Sequence, residues 1–308
     1  MTLQSWTTKD IPSQTGKTVI VTGGNSGLGF EAVKALSDKG ALVILACRKL
    51  EKGEAAKEKI RQSNLTAKIE VMELDLMNLA SIHSFVAKFK NQYTHLDLLL
   101  NNAGIMMVPY QLTDDGFESQ LGTNHLGHFA LTGLLISVLK NTPKARVINV
   151  SSIAHKKGEV DYDNLLFENG KGYTPLKAYG RSKLANLLFT FELQRFFDTH
   201  KMDCIALAAH PGVSDTNLFQ HIGSKWLMRI LRPLFLFFIQ PAEMGVLPEL
   251  RAAVDKHAKG GMYYGPDGKR EMKGFPIVVQ ATQAAQNKES ARKLWKQSEK
   301  LTGVVYTV

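Results

Sequence analysis

Residues 17–29 decide the fold of this chain. A short β-type run over 17–22 leads into the loop Thr22-Gly23-Gly24-Asn25-Ser26-Gly27-Leu28-Gly29, and a helical pattern follows over 27–39. Glycines at such a turn allow a tight bend and let a pyrophosphate approach the helix N-terminus. The spacing is Gly-x-x-x-Gly-x-Gly, which differs from the common Gly-x-Gly-x-x-Gly fingerprint. Taken alone, the loop indicates either a phosphate cradle or a purely structural turn.

The same alternation of short apolar runs and longer amphipathic segments continues along the chain. It predicts a doubly wound parallel sheet of the Rossmann type, with about seven strands and helices on both faces. No linker rich in Pro, Gly or Ser interrupts it, so residues 1–308 are expected to form a single α/β domain. Further strands are predicted at 41–47, 69–74, 96–100, 146–150 and 204–209, and helices at 51–62, 79–89, 117–140 and 175–200.

Composition narrows the classes of function. The 308 residues carry a net charge of +10, but no long basic run, so nucleic acid is not an expected partner. Cys47 and Cys204 lie in apolar runs and are expected to be buried thiols of a reducing compartment. The N-terminus does not resemble a signal peptide, and no 18-residue uncharged apolar run occurs. A cytoplasmic location is therefore predicted.

Polar residues that follow the predicted strands suggest how a dinucleotide would bind. Arg48 follows the second strand, where an NAD enzyme usually has a carboxylate, and so favours the 2′-phosphate of NADP over the alternative of a solvated surface Arg. Asp75, followed by Leu76, is expected either to bond the adenine amino group or to cap the next helix. The small residues of Asn101-Asn102-Ala103-Gly104 leave room for a cofactor, although a plain turn has the same composition.

The strongest catalytic signal is Tyr179-Gly180-Arg181-Ser182-Lys183. Positions i and i+4 share one face of a helix, so the phenol of Tyr179 and the ammonium of Lys183 are expected to be neighbours. A nearby ammonium favours the phenolate, which lowers the tyrosine pKa towards a range useful for proton transfer. Ser151 and Ser152 end the fifth predicted strand and face the same crevice. Spacing alone does not decide which serine acts.

Together these residues resemble the short-chain dehydrogenase/reductase superfamily over nearly the whole chain. Residues 22–29 resemble its cofactor loop, and residues 101–104 match its Asn-Asn-Ala-Gly motif. Its catalytic tetrad is matched by Asn124, Ser152, Tyr179 and Lys183. Its nicotinamide-carboxamide segment is matched by Pro211, Gly212 and Thr216. The resemblance implies Ser152 as the acting serine, a water held by Asn124, and a bond from Lys183 to the nicotinamide ribose.

Finer features resemble the retinol dehydrogenase branch of that superfamily. The stretches concerned are 46–48, 124–129, 151–155, 261–264 and 294–295. The sequence does not predict the N-terminal membrane anchor that many retinol dehydrogenases carry. The resemblance implies NADP(H)-dependent transfer of a hydride to or from a carbonyl or alcohol, with a lipophilic aldehyde or ketone as the expected substrate.

The expected cofactor is NADP, and the expected partner is a small carbonyl or alcohol compound. Many relatives pair with a second copy through helices that correspond to 117–140 and 175–200, and others are monomers, so a homo-oligomer and a monomer are both open alternatives. The residues expected to bind the cofactor are Gly23, Asn25, Ser26, Gly27, Leu28, Gly29, Arg48, Asp75, Leu76, Asn102, Ala103, Gly104, Tyr179, Lys183, Pro211, Gly212 and Thr216. Alternative functions are reduction of a conjugated C=C bond, nucleotide-sugar epimerisation, and a non-catalytic NADPH sensor or scaffold. The glycine spacing disfavours the epimerases.

Two other features remain open at this level. The apolar run 226–239 is interpreted as part of a substrate lid over 213–241, against the alternatives of a core helix or a membrane-surface helix that makes peripheral contact. His125 and His128 lie three apart on a predicted helix without further metal ligands, so no metal site is expected there and a core role is favoured.

Overall fold

The structure is a computed structural model, and it describes residues 5–213 and 240–308. Eight strands form one sheet in the order β3-β2-β1-β4-β5-β6-β7-β8. Strands β1 to β7 are parallel, and β8 pairs antiparallel with β7. The strands are β1 (Thr18–Thr22), β2 (Leu42–Cys47), β3 (Lys68–Glu73), β4 (Leu98–Asn101), β5 (Ala145–Val150), β6 (Cys204–Ala209), β7 (Tyr263–Pro266) and β8 (Pro276–Val279).

Helices cover both faces of the sheet, as a doubly wound fold requires. In chain order they are α1 (Gly27–Asp38), α2 (Leu50–Ser63), α3 (Leu79–Gln92), α4 (Ser119–Leu121), α5 (Gly127–Leu134), α6 (Ile136–Lys140), α7 (Pro175–Thr199), α8 (Ala242–Gly245), α9 (Leu247–Val254), α10 (Gln283–Gln286) and α11 (Lys288–Thr302). The single-domain parallel α/β fold predicted from the sequence is confirmed. No helix in the described part of the chain is long and apolar enough to cross a membrane.

Successive side chains of each strand point to opposite faces of the sheet, and so they belong to two different layers of the core. Ile20 of β1 belongs to the layer beneath α3 and α5, while Val19 and Val21 belong to the layer beneath α1 and α9. Successive side chains of a strand point to opposite faces, so a strand buried on both sides reads as a continuous apolar run. This is why strands such as β1, β2 and β5 are recognisable in the sequence.

The predicted helix over 117–140 is interrupted. A π-helical turn (Gly122–Leu126) separates α4 from α5, and a further break separates α5 from α6. π turns insert an extra residue and frequently occur at functional sites. Here the turn carries Asn124, a residue of the predicted tetrad, and its position could not be read from the apolar periodicity.

Candidate functional site

A cleft of about 350 Å³ lies at the carboxyl ends of the parallel strands. It is lined at one end by Arg48 and Asp75 and at the other by Tyr179 and Lys183. The strand order reverses between β1 and β4, and open parallel sheets bind ligands at this switch point. The cleft is therefore where the fold places a binding site.

The glycine loop forms the middle of the cleft with an unusual backbone. Gly23 and Gly27 have φ angles of +67° and +55°, which favour glycine. A Cβ on Gly29 would lie 2.4 Å from the Gly23 carbonyl oxygen, so only glycine lets α1 begin this close to β1. The Ser26 side chain makes no capping hydrogen bond to α1. The N-terminal N–H groups of α1 thus face the cleft uncapped, which suits the pyrophosphate of a dinucleotide.

Thr22, the last residue of β1, ties the loop to the end of β4. Its hydroxyl oxygen accepts hydrogen bonds from the backbone N–H groups of Asn102 and Ala103, at 3.0 and 2.9 Å. In return, the Asn102 amide nitrogen donates to the Thr22 carbonyl at 2.6 Å. These bonds hold the two loops that flank the switch point in a fixed relation.

One end of the cleft carries an exposed cation. Arg48 is exposed and approaches the sulfur of Met77 at 3.8 Å, and it forms no ion pair with a carboxylate in the described ranges. Asp75 accepts the backbone N–H of Met77 at 2.9 Å and does not cap α3; Asn78 does, by accepting from Ser81. Arg48 is thus available to an anionic ligand, and the capping interpretation of Asp75 is wrong.

At the other end, Tyr179 and Lys183 are brought together on α7. The Lys183 Nζ lies 5.7 Å from the Tyr179 ring centre and donates to the Val150 carbonyl at 3.0 Å. Burial lowers the pKa of Lys183 to about 8. Burial raises the pKa of Tyr179 to about 12, although the interaction with the Ser152 side chain acts to lower it. The expected depression of the Tyr179 pKa is therefore not seen, because desolvation of the phenol dominates and Lys183 points to a backbone carbonyl.

The two serines after β5 have different partners. The Ser151 hydroxyl is buried and donates to the Lys183 carbonyl at 2.8 Å. Ser152 is the serine that bonds the phenol of Tyr179, and its hydroxyl oxygen also accepts the N–H of Ala154 at 3.1 Å. The Ser152 hydroxyl thus lies near the phenol of Tyr179, whereas Ser151 is the serine that lines the cleft.

Asn124 is fixed by the loop after β4. Its side chain accepts the Ile105 N–H at 2.8 Å and donates to the Ile105 carbonyl at 3.0 Å and to Ser182 at 2.9 Å. A Cβ on Gly104 would lie 3.0 Å from the Asn124 Oδ1 and 3.6 Å from the Lys183 Nζ. Gly104 therefore keeps open a small space between the amide and the ammonium.

Glu249 of α9 is a buried acid that the sequence did not single out. It is fully buried, and neither carboxyl oxygen has a hydrogen-bond partner within the described residues. Burial raises its pKa to about 8, and the charge of Lys183 opposes this shift. The charges of Glu249 and Lys183 therefore interact, and each group affects the ionisation of the other.

Most residues expected at the site do line the cleft. Gly212 does not, although its neighbour Pro211 does. Of the four residues predicted to be catalytic, Tyr179 and Lys183 line the cleft and Asn124 and Ser152 do not. Asn124 bonds Ser182, and Ser152 interacts with Tyr179. Thr216, and the lid placed at 213–241 apart from its ends, fall outside the described residues.

The sequence missed an apolar part of the lining. Met77, Ile105, Met106 and Val108 contribute to the cleft wall. Three of them lie within four residues after the Asn-Asn-Ala-Gly segment, so an apolar run next to a recognised motif was the available signal. His125 and His128 are buried within the fold, and burial lowers the pKa of His125 to about 3 and that of His128 to about 4. Both are neutral core histidines, as favoured from the sequence.

Comparisons with known proteins identify the family of this chain. The family model for short chain dehydrogenases matches residues 17–164. Human retinol dehydrogenase 13 is 40% identical over 294 residues, covering 94% of this chain and 85% of that protein. Retinol dehydrogenase 12 of Mus musculus is 40% identical over 291 residues, covering 94% and 87%.

Solved structures give the same picture of the fold. An uncharacterized protein from Mycobacterium paratuberculosis superposes with a TM-score of 0.82 at 40% identity, covering 99% of this chain and 100% of that one. The NADP complex of RhlG from Pseudomonas aeruginosa superposes with a TM-score of 0.63 at 21% identity, covering 82% and 94%. The second likeness concerns the fold alone.

Proposed function

Because this chain belongs to the short-chain dehydrogenase/reductase superfamily, in its retinol dehydrogenase-like branch, we propose that it is an NADP(H)-dependent oxidoreductase of lipophilic aldehydes or ketones and their alcohols. Transfer of a hydride between a carbonyl or alcohol carbon and a nicotinamide cofactor is the chemistry of this family. The observation that carries the proposal is a cleft that is lined by Tyr179 and Lys183 and has an uncapped helix N-terminus in its middle, with Ser152 next to Tyr179.

The cofactor preference rests on Arg48. The dinucleotide would lie along the cleft, with its pyrophosphate at residues 26–29 and its adenosine end near Arg48 and Asp75. An exposed guanidinium that has no carboxylate partner among the described residues suits a 2′-phosphate, because Arg binds phosphate oxygens by charge-assisted hydrogen bonds. When bound, the cofactor supplies the hydride.

The protein's own residues would handle the proton and the developing charge. In carbonyl reduction, Tyr179 donates its hydroxyl proton to the substrate oxygen, and a pKa of about 12 means that this proton is present at neutral pH. Ser152 donates a hydrogen bond to the same oxygen as it gains negative charge. Lys183 would hold the nicotinamide ribose, and a water between Lys183 and Asn124 would resupply the proton.

The substrate class and location are part of the same proposal. The apolar wall at Ile105, Met106 and Val108 suits a lipophilic carbonyl compound, and the relatives with 40% identity are named retinol dehydrogenases. Cys47 and Cys204 are buried and unpaired, which fits a reducing compartment such as the cytoplasm.

The test is a panel of aldehydes and ketones with NADPH, followed by loss of absorbance, on the wild type and Tyr179→Phe. The Phe variant keeps the ring and removes the proton, so turnover should fall by ~10²-fold or more. Its NADPH affinity should stay near that of the wild type. Near-normal turnover of the variant would refute the catalytic role of Tyr179, and no turnover by the wild type with any compound would refute the function.

A further inference from the structure

A buried histidine and a carboxylate connect the loops beside the catalytic end of the cleft. Glu271, between β7 and β8, accepts from the Nε2 of His210 at 3.0 Å and from the Nζ of Lys156 at 2.8 Å. Lys156 follows β5 and His210 follows β6. One carboxylate therefore joins the loops at the carboxyl ends of three adjacent strands.

The hydrogen bonds of His210 fix its tautomer. The backbone N–H of Gly212 donates to the His210 Nδ1 at 3.2 Å, so Nδ1 must be an acceptor. The proton of the neutral ring then lies on Nε2, where it is donated to Glu271. Burial lowers the pKa of His210, and the bonds from His210 and Lys156 lower the pKa of Glu271 to about 2. A neutral histidine and an ionised glutamate result.

The backbone around Glu271 is strained, and it packs tightly against the turn at residues 211–213. Arg270 and Glu271 have φ angles of +56° and +59°, a backbone region that residues other than glycine seldom adopt. Val213 donates its N–H to the Met272 carbonyl at 2.7 Å, and a Cβ on Gly212 would lie 2.3 Å from that oxygen. Strained residues persist where surrounding contacts hold them, and they cluster at functional sites.

The turn held in this way borders the cleft. Pro211 lines the cleft together with Tyr179 and Lys183, and Gly212 is the next residue. We propose that Glu271 is a positioning residue, which acts through His210 to hold the Pro211–Gly212 turn against the nicotinamide end of the cleft. The inference rests on the proposed function, because it requires a dinucleotide to lie there.

The test compares a whole dinucleotide with its adenosine fragment. Glu271→Ala removes the acceptor of His210, so NADPH should bind about tenfold more weakly, while 2′,5′-ADP, which lacks the nicotinamide end, should bind as to the wild type. Lys156→Met is the control, because it removes the exposed ion pair but leaves the His210–Glu271 bond; both ligands should bind it normally. If the protein binds NADH and not NADPH, the same comparison is made between NADH and its fragment ADP.

A rescue and a spectroscopic readout separate positioning from general damage. In Glu271→Gln, the amide can offer its oxygen to His210 only by turning its NH₂ group towards Lys156. NADPH affinity should therefore be reduced in Glu271→Gln and recover to within about threefold of the wild type in the double variant with Lys156→Met. In ¹⁵N spectra, His210 should be the Nε2–H tautomer in the wild type and a mixture in Glu271→Ala.

Three outcomes would overturn the inference. They are equal losses for NADPH and 2′,5′-ADP in Glu271→Ala, unchanged affinity for both, and an unchanged His210 tautomer in that variant. A wild type that binds 2′,5′-ADP or ADP but neither dinucleotide would overturn the proposed function and the inference together. A wild type that binds dinucleotide while Glu271→Ala behaves normally would overturn the inference alone.

Discussion

At the scale of single residues, the site depends on polar groups whose charge is set by burial. Lys183, Glu249 and Tyr179 are all buried, and desolvation favours the neutral form of each group. It lowers the pKa of Lys183 and raises the pKa values of Glu249 and Tyr179. Arg48 is the contrasting case, because it is exposed. Substitutions at these positions are therefore expected to alter ionisation or ligand charge pairing more than packing.

Glu249→Gln is expected to change how stability depends on pH. The unfolded carboxyl ionises near 4.5, whereas in the folded state its pKa is about 8. Between these values the unfolded chain releases a proton that the native protein keeps, so the wild type loses stability as pH rises. The variant does not titrate there and should lose less. Thermal melting from pH 5 to 7.5 measures the difference, with Glu289→Gln, at an exposed position of α11, as the control that should parallel the wild type. Parallel curves for Glu249→Gln would contradict the assignment.

Arg48→Ala is expected to weaken NADPH binding and to leave NADH binding almost unchanged. Charge-assisted hydrogen bonds to a 2′-phosphate contribute ~1.5–3 kcal/mol, which corresponds to roughly one to two decades in Kd. Equilibrium titration of both dinucleotides provides the measurement. Equal losses for the two cofactors would show that Arg48 does not read the phosphate.

At the scale of elements, the cleft exists because the ends of β1 and β4 are tied together. The Thr22 hydroxyl accepts two backbone N–H groups from the loop after β4, and the side chain is fully buried. Thr18 lies on the same strand and is also buried, but its hydroxyl meets the half-exposed His95. The two threonines therefore offer a matched comparison within β1.

Thr22→Val is expected to destabilise the fold by ~1–3 kcal/mol, because the Ala103 N–H loses its acceptor in a water-poor site. Thr18→Val should cost less, since water can replace its partner. Urea unfolding of both variants measures the two free energies of unfolding. A smaller loss at Thr22 than at Thr18 would argue against the role of Thr22 as the tie between β1 and β4.

At the scale of the whole molecule, the C-terminal segment completes the core. The Tyr306 ring centre lies 4.4 Å from that of Trp295 on α11 and 4.9 Å from that of Phe129 on α5. The Tyr306 hydroxyl donates to the Phe129 carbonyl at 2.8 Å. Helix α11 and this tail thus cover parts of α5 and α7, so a second copy that pairs through those helices must use their remaining surface.

Tyr306→Ala is expected to cost ~3–5 kcal/mol of stability, as large aromatic truncations in a core do. Val305→Ala, one residue earlier and 62% exposed, should stay within ~0.5 kcal/mol of the wild type. Urea unfolding curves give both values. A loss below about 1 kcal/mol at Tyr306 would mean that the tail is not part of the cooperative core.

The sequence by itself determined the order of helices and strands up to β6 and most of the cleft lining. These features depend on local chemistry: glycine conformations after β1, apolar runs in strands buried on both faces, and the i, i+4 placement of Tyr179 and Lys183 on one helix face. The short β7 and the antiparallel β8 were not recognised, because β7 reads Tyr-Tyr-Gly-Pro and β8 begins at a proline, whereas the equally short β4 contains three consecutive leucines.

Only the tertiary structure decided which distant groups share a site. His210 and Glu271 are 61 positions apart, and Glu249 and Lys183 lie on different helices, so no spacing rule connects them. The pKa of Tyr179 also depends on the tertiary structure. The sequence placed a cation near the phenol, but burial raised the phenol's pKa to about 12, because desolvation depends on everything packed around the ring.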